Sequence, residues 1–304
     1  MAQKEVKSRI ASVKNIQKIT RAMEMVAAAR LRKAEQRIEA LRPYASAIRR
    51  MTRQAAEAAE NIPNVPILAE REQFNSAGLL LVTGDRGLAG AFNSQIVRAA
   101  ARAGTEHEHE GRSTVYYASG RRGVSSLVFR GKEPAGTYTG FTDRPGYANA
   151  REIAADLMAA YVDGEVDRVE IFYNHYISPL TQTVTRETLL PLQEASIFEE
   201  EEDGDEDDGE GREDQEHHRA QVEYEPDPEE ILRRLVPEYV QISIFRALLE
   251  STASEHGARM TAMRNASENA GDIIKDLTLQ MNRERQAEIT QEIMEVVAGA
   301  ESLV

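Results

Sequence analysis

Seven residues, Gly84-Asp85-Arg86-Gly87-Leu88-Ala89-Gly90, come nearest to a chemical motif in this 304-residue chain. They follow the apolar run Ala77–Thr83 and open a helical stretch, a setting in which backbone N–H groups can gather an anion. The spacing, however, is G-x-x-G-x-x-G. A dinucleotide loop needs G-x-G-x-x-G, and a P-loop continues into G-K-S/T. A glycine-permitted turn from strand to helix fits these residues better. Asp85 and Arg86 have the types of an acid and a cation, but no sequence neighbour supplies a partner. His107 and His109 (EHEHE) and His217-His218 beside an acidic run could hold a divalent metal loosely. Neither pair has a third ordered ligand in view, so both read as solvated histidines in polar loops. The absence of cysteine excludes disulfides, thiolate metal sites and cysteine nucleophiles together. No serine elbow is present either. The residues thus point to no active site, no cofactor and no metal.

The elements around these residues are more informative. The first sixty residues read as one helix, with no glycine before Gly78. Val6, Ile10, Val13, Ile16, Ile19, Met23 and Val26 recur at helical spacing, and Ala27, Leu31, Ala34, Ile38 and Leu41 step as a heptad seam. Pro43 predicts a kink or a local break. The other end mirrors this pattern. After Pro237, Ile242, Phe245, Leu249, Thr252, His256, Met260, Met263, Ser267, Ala270, Ile274, Leu277 and Met281 step by three and four. Sixty helical residues span about 90 Å, which exceeds a compact domain of this size. Two such helices most economically bury their stripes on each other. We therefore expect an antiparallel two-helix coiled coil from residues 1–60 and 229–304.

Between them the period changes. Residues 75–192 read as an inserted Rossmann-like α/β domain with a largely parallel sheet. Its strands are expected at 77–83, 114–118, 168–173 and 181–189, and its helices at 89–103, 124–129 and 149–162. Residues 199–221 are low-complexity and charged, and predict a disordered surface loop.

The formal charge of −14 belongs to that loop. Residues 199–216 hold thirteen acids and one arginine, a net −12, which leaves −2 for the rest. Residues 1–60 carry fourteen Lys/Arg against six Asp/Glu. Those charges are spread around the helix without stacking aromatics, so nucleic acid is not an expected partner. The sequence has no apolar run long enough to span a bilayer and no signal-peptide pattern.

Three blocks carry a resemblance. ITRAMEMVAA (19–28), TGDRGLAGAFN (83–93) and ESTASEHGARMTAMRNASENA (250–270) with LTLQMNRERQAEITQEIMEVVAGA (277–300) are similar to signatures of F-type ATP synthase gamma subunits. EPDP (225–228) resembles the family as well. Ala89, where many relatives have cysteine, and the acidic loop depart from it. The resemblance implies a non-catalytic rotor subunit, the central stalk of the F1 sector, which couples proton flow through Fo to ATP synthesis or reverse hydrolysis. It implies a shaft inside an alpha3beta3 ring, with the foot on the epsilon subunit and the membrane c-ring. The place implied is the cytoplasmic face of the bacterial plasma membrane, without a transmembrane segment. Carried over from matching motif positions, Met23, Arg259, Met260, Arg285, Gln286 and Thr290 are expected as contacts to the ring. Ile289, Ile293, Val296, Val297, Leu303 and Val304 would form an apolar tip. Two other readings remain open on the residues alone: a free-standing coiled-coil adaptor, and a nucleotide-binding enzyme built on the α/β domain.

Overall fold

The computed structural model describes residues 2–58, 67–68, 71, 73–192 and 228–301. Helix α1 covers Ala2–Ala58, and the last element, α5, covers Pro228–Glu301. They are about 85 and about 110 Å long at 1.5 Å per residue. Their contacts run in opposite directions along the two chains. Ile48 packs with Leu235 and Ile242, Leu31 with Ala253, and Gln17 donates to the Ser267 carbonyl at 3.2 Å. The coiled coil is antiparallel, as its two stripes require.

Its register differs from the expected one near the N-terminus. A row of buried or half-buried positions runs the length of α1 through Val6, Ile10, Val13, Gln17, Thr20, Glu24, Ala27, Leu31, Ala34, Ile38, Leu41, Ala45, Ile48, Thr52 and Ala55. They alternate steps of four and three without interruption, which is one continuous heptad seam. Ile16, Ile19 and Val26 lie one position off it and are exposed, Ile19 by 59%. Gln17 and Glu24 stand on the seam because α5 meets them with polar groups, and Thr20 satisfies its hydroxyl on the Gln17 carbonyl of its own helix. Glu24 pairs with Arg264 at 3.0 Å, close to the Gln17–Ser267 bond. Pro43 does not break α1, which passes through it. The proline removes one backbone donor, but Ala45 and Ile48 just beyond it are packed on Leu235, Tyr239 and Ile242 of α5.

The inserted domain comprises β1 (Ser76–Val82), α2 (Phe92–His109), β2 (Ser113–Ser119), α3 (Arg121–Phe129), β3 (Gly136–Tyr138), α4 (Tyr147–Val162), β4 (Arg168–Tyr176) and β5 (Gln182–Leu190). The sheet order is β3-β2-β1-β4-β5, parallel except for the antiparallel edge strand β5. Successive residues of β1 face opposite sides, as a strand dictates. Leu80 and Val82 join α4 and α5 in one core, whereas Leu79 and Leu81 join α2 in the other. Long helix α5 thus serves as one of the covering helices of the sheet. Strand β3 was not expected, and its three residues are too short for a pattern. Helix α2 starts at Phe92 rather than 89 because Leu88 and Gly90 have φ of 65° and 54°, outside the right-handed helix. The acidic run 199–221 lies outside the described residues.

Candidate functional site

In an open α/β sheet, a ligand lies beyond the carboxyl ends of the strands where the strand order reverses. Here that point falls between β1 and β4. It is filled by α5. Ser251 Oγ donates to the carbonyl of Val82 on β1 at 3.2 Å, and Ser254 Oγ donates to the carbonyl of Asn174 on β4 at 3.0 Å. Thr252 Oγ1 reaches the Thr142 carbonyl at 3.0 Å. The residues Ala247–Gly257 are buried all round the helix. A row of serine and threonine hydroxyls therefore lets a helix settle on strand ends whose carbonyls would otherwise lack donors.

The Gly84–Gly90 loop is closed on itself. Asn93 Oδ1 accepts from the Gly84 N–H at 2.8 Å, and Asn93 Nδ2 donates to the Arg86 carbonyl at 3.4 Å. The Asp85 carboxylate accepts from the backbone N–H of Arg121, Gly140 and Thr142, at 3.1, 2.9 and 3.3 Å, and from the Thr142 hydroxyl. Asp85 is therefore a staple between three loops. Where a phosphate would sit, the chain places its own carboxylate: a Cβ on Gly84 would meet the Glu255 carboxyl at 2.7 Å. Glycine is required there by this close approach, and the phosphate-cradle reading does not survive it.

Glu255 is 1% exposed and paired with Arg259, whose guanidinium also donates to the Gly87 carbonyl at 3.3 Å. Burial pushes the Glu255 carboxyl upward, and the Arg259 charge opposes it. Burial and then Arg259 hold the neighbouring His256 down to about 4, so it is neutral near pH 7. Only the Glu255–Arg259 spacing of i,i+4 was legible beforehand. The sheet that buries the pair was not.

The ATP synthase family profile matches residues 2–303. The chain is 41% identical over 300 residues to the ATP synthase gamma chain of Rubrobacter xylanophilus, covering 99% of this chain and 98% of that one. It is 41% identical over 302 residues to that of Moorella thermoacetica, with 99% and 98% covered. This chain belongs to the ATP synthase gamma-chain family. Its fold is shared by a chain of the Tetrahymena thermophila mitochondrial ATP synthase central stalk/c-ring structure, with TM-score 0.59, 24% identity, and 82% and 99% of the two chains covered. A chain from the Euglena gracilis mitochondrial ATP synthase OSCP/F1/c-ring structure gives TM-score 0.63 at 17% identity, covering 99% and 94%.

For a gamma-chain family member, the six expected contact residues fall into three settings. Arg259 and Met260 lie at the hub, Arg259 buried in its ion pair and Met260 packed with Leu31, Ala34 and Ala253. Neither offers a free surface like that of Arg285, Gln286 and Thr290, which are exposed on distal α5. Met23 is half-buried beside the seam. Beyond Arg285 every described α5 side chain is exposed, including Ile289, Ile293, Val296 and Val297, because α1 has already ended. Leu303 and Val304 lie outside the described residues, as do His217 and His218.

His107 corrects the solvated-loop reading. It is 3% exposed on α2, edge-on to Phe74, with Nε2 at 3.4 Å from Glu170 and 3.3 Å from Arg186. Arg186 spans Glu170 and Glu106 at 2.9 and 3.0 Å. This is a polar network, buried at His107 and Glu170 and open to solvent at Arg186 and Glu106, that joins α2 to β4 and β5. Among the described residues no group of His, Asp or Glu has the arrangement to hold a metal.

Proposed function

We propose that this chain is the rotating central stalk of the F1 sector and performs no chemistry itself. Coiled coil and tip turn inside an alpha3beta3 ring. The α/β domain and the foot of the shaft engage the epsilon subunit and the c-ring of Fo, and proton flow through Fo drives the rotation. The observation that carries this reading is the overhang of α5. A helix of 74 residues continues past the end of its 57-residue partner and exposes Ile289, Ile293, Val296 and Val297. Such a segment is built to be covered by something else. The family membership supports the same reading, and the filled crevice between β1 and β4 supports a chain without catalysis of its own.

No helix among the described residues is long and apolar enough to cross a membrane. In this reading the chain attaches peripherally, through Fo, at the cytoplasmic face of the bacterial plasma membrane. The ring side is carried by Met23, Arg285, Gln286 and Thr290. Arg259 and Met260 support them from the hub. Only contacts that differ in strength among ring conformations can shift them. A two-helix section provides this, because it presents unlike faces at different angles.

The test is the assembled synthase in membrane vesicles. Met23→Lys is expected to lower ion pumping per ATP hydrolysed while the complex still assembles. Normal pumping would remove Met23 from the contact set. Loss of residues 290–304 is expected to weaken torque and leave the α/β fold intact by circular dichroism. An isolated chain that bound nucleotide, and lost it on substitution of Gly84 or Gly87, would overturn the non-catalytic reading.

A further inference from the structure

Residues 140–146, between β3 and α4, are gripped from three directions. From the β1 side, the Asp85 carboxylate takes the Gly140 and Thr142 N–H groups. From α5, Thr252 Oγ1 donates to the Thr142 carbonyl at 3.0 Å. From α1, Arg30 Nη1 donates to Asp143 Oδ2 at 2.9 Å and Arg37 donates to the Pro145 carbonyl. Arg86 Nη1 stands 3.4 Å from the same Asp143 oxygen. Arg30 and Arg37 are one heptad apart and so share a face of α1, flanking the seam on the side that meets the domain.

The contacts differ in kind. Helix α5 is fixed to the sheet by a broad apolar core that includes Leu232, Val236, Val240 and Ile244. Apolar burial is non-directional, and the Ser251 and Ser254 hydrogen bonds orient the sheet on α5 without reaching α1. Hydrogen bonds to charged groups are directional. At this loop a charged one reaches α1 through Arg30, and the neutral Thr252–Thr142 bond reaches α5, so both shaft helices are held at once.

We propose that loop 140–146 is the joint that sets the angle between the α/β domain and the shaft, with Asp143 as its positioning residue. The proposal rests on the reading of the chain as a rotor. A domain that drives a shaft must not slip around it. Asp143 is the point where α1 and the Gly84–Gly90 loop share one anion: a small rotation of the domain about α5 pulls Asp143 off Arg30 of α1, while Arg86 moves with the domain and holds the carboxylate in place. The ion pairs are half-exposed. They therefore add little to overall stability, which separates this role from that of the buried Glu255–Arg259 pair.

The test compares synthase complexes carrying Asp143→Ala, Asp143→Glu and the unaltered chain in membrane vesicles. Hydrogen exchange of the 140–146 amides is expected to quicken about five-fold in Asp143→Ala. Ion pumping per ATP hydrolysed is expected to drop, with the melting temperature of the complex close to that of the unaltered one. Asp143→Glu, which keeps the charge, is expected to restore both exchange and pumping. Unchanged exchange in Asp143→Ala would show that the loop is not held by this residue. A lowered melting temperature with pumping per ATP intact would make Asp143 merely structural. Either result overturns the joint and leaves the rotor reading in place. Absence of the unaltered chain from the purified synthase would overturn the rotor reading, and the joint with it.

Discussion

Ala247–Gly257 and Arg285–Ala298 belong to one helix, and no two parts of this molecule differ more. The first is buried on every side, by α1 and by the ends of the strands; the second is exposed on every side. Both satisfy their backbone hydrogen bonds internally, so backbone structure does not distinguish them. Their surroundings do. The hub draws stability from packing and from one desolvated ion pair. The distal segment has only its own helix propensity, and an isolated helix of about 15 residues is marginal in water. The hub is a part of the fold, whereas the tip is an invitation to a partner.

The comparison is broken most directly at Glu255. Glu255→Ala leaves the Arg259 guanidinium buried without its counter-charge, and thermal or chemical denaturation should register a loss of about 3–5 kcal/mol. A loss under about 1 kcal/mol would mean that packing alone holds the hub. The next largest effect comes from pH. His256 titrates near 4 in the folded chain against 6.5 when unperturbed. On acidification the unfolded chain therefore takes up the proton first. Its contribution is complete above about pH 6.5 and is lost as pH falls toward 4, by at most about 3 kcal/mol. Denaturation midpoints across that window should flatten in His256→Gln; an unchanged slope would place the proton uptake elsewhere. The smallest effect is expected at the tip. Ile293→Ser should move stability by less than about 0.5 kcal/mol, as for an ordinary surface position. A larger shift would show that Ile293 has a partner within the chain.

His175 offers a sharper contrast with His256, because the same side chain is pushed the opposite way. Its Nδ1 lies 2.6 Å from Glu250, and that hydrogen bond raises its affinity for a proton. A raised value stabilises the fold fully below the unperturbed value, and the gain is lost as pH rises through the folded one. Rising pH above 6.5 should thus weaken the tie between β4 and α5, in a range where the hub around His256 is already at full strength. Histidine NMR titrations would separate the two; parallel titration of both rings would defeat the contrast.

Long helices and an inserted α/β domain were legible because periodicity over sixty residues is hard to mistake. The register was not legible everywhere. Ile16, Ile19 and Val26 look like seam residues, yet Gln17, Thr20 and Glu24 occupy the seam. Only Ser267 and Arg264, some 240 or more positions away, explain why. The hub was hidden for the same reason. ESTASEH reads as one stretch of the coiled-coil stripe, through Thr252 and His256, until the ends of β1 and β4 are laid against it. His107, in the polar string EHEHE, looked solvated because Glu170 and Arg186 are 63 and 79 positions from it. Side chains that depend on distant partners leave no local pattern.

The unequal lengths of α1 and α5 have one more consequence. Where both helices run together, the cross-section is oblong, about 10 Å by 20 Å from helix diameter and interaxial distance. Past the start of α1 it becomes nearly round. The two-helix part therefore behaves as a cam, whose outline reports its angle to whatever surrounds it. The single-helix end behaves as an axle pin, which can turn in a fitted socket with little change in shape. Any angular message carried there must be written in side chains alone.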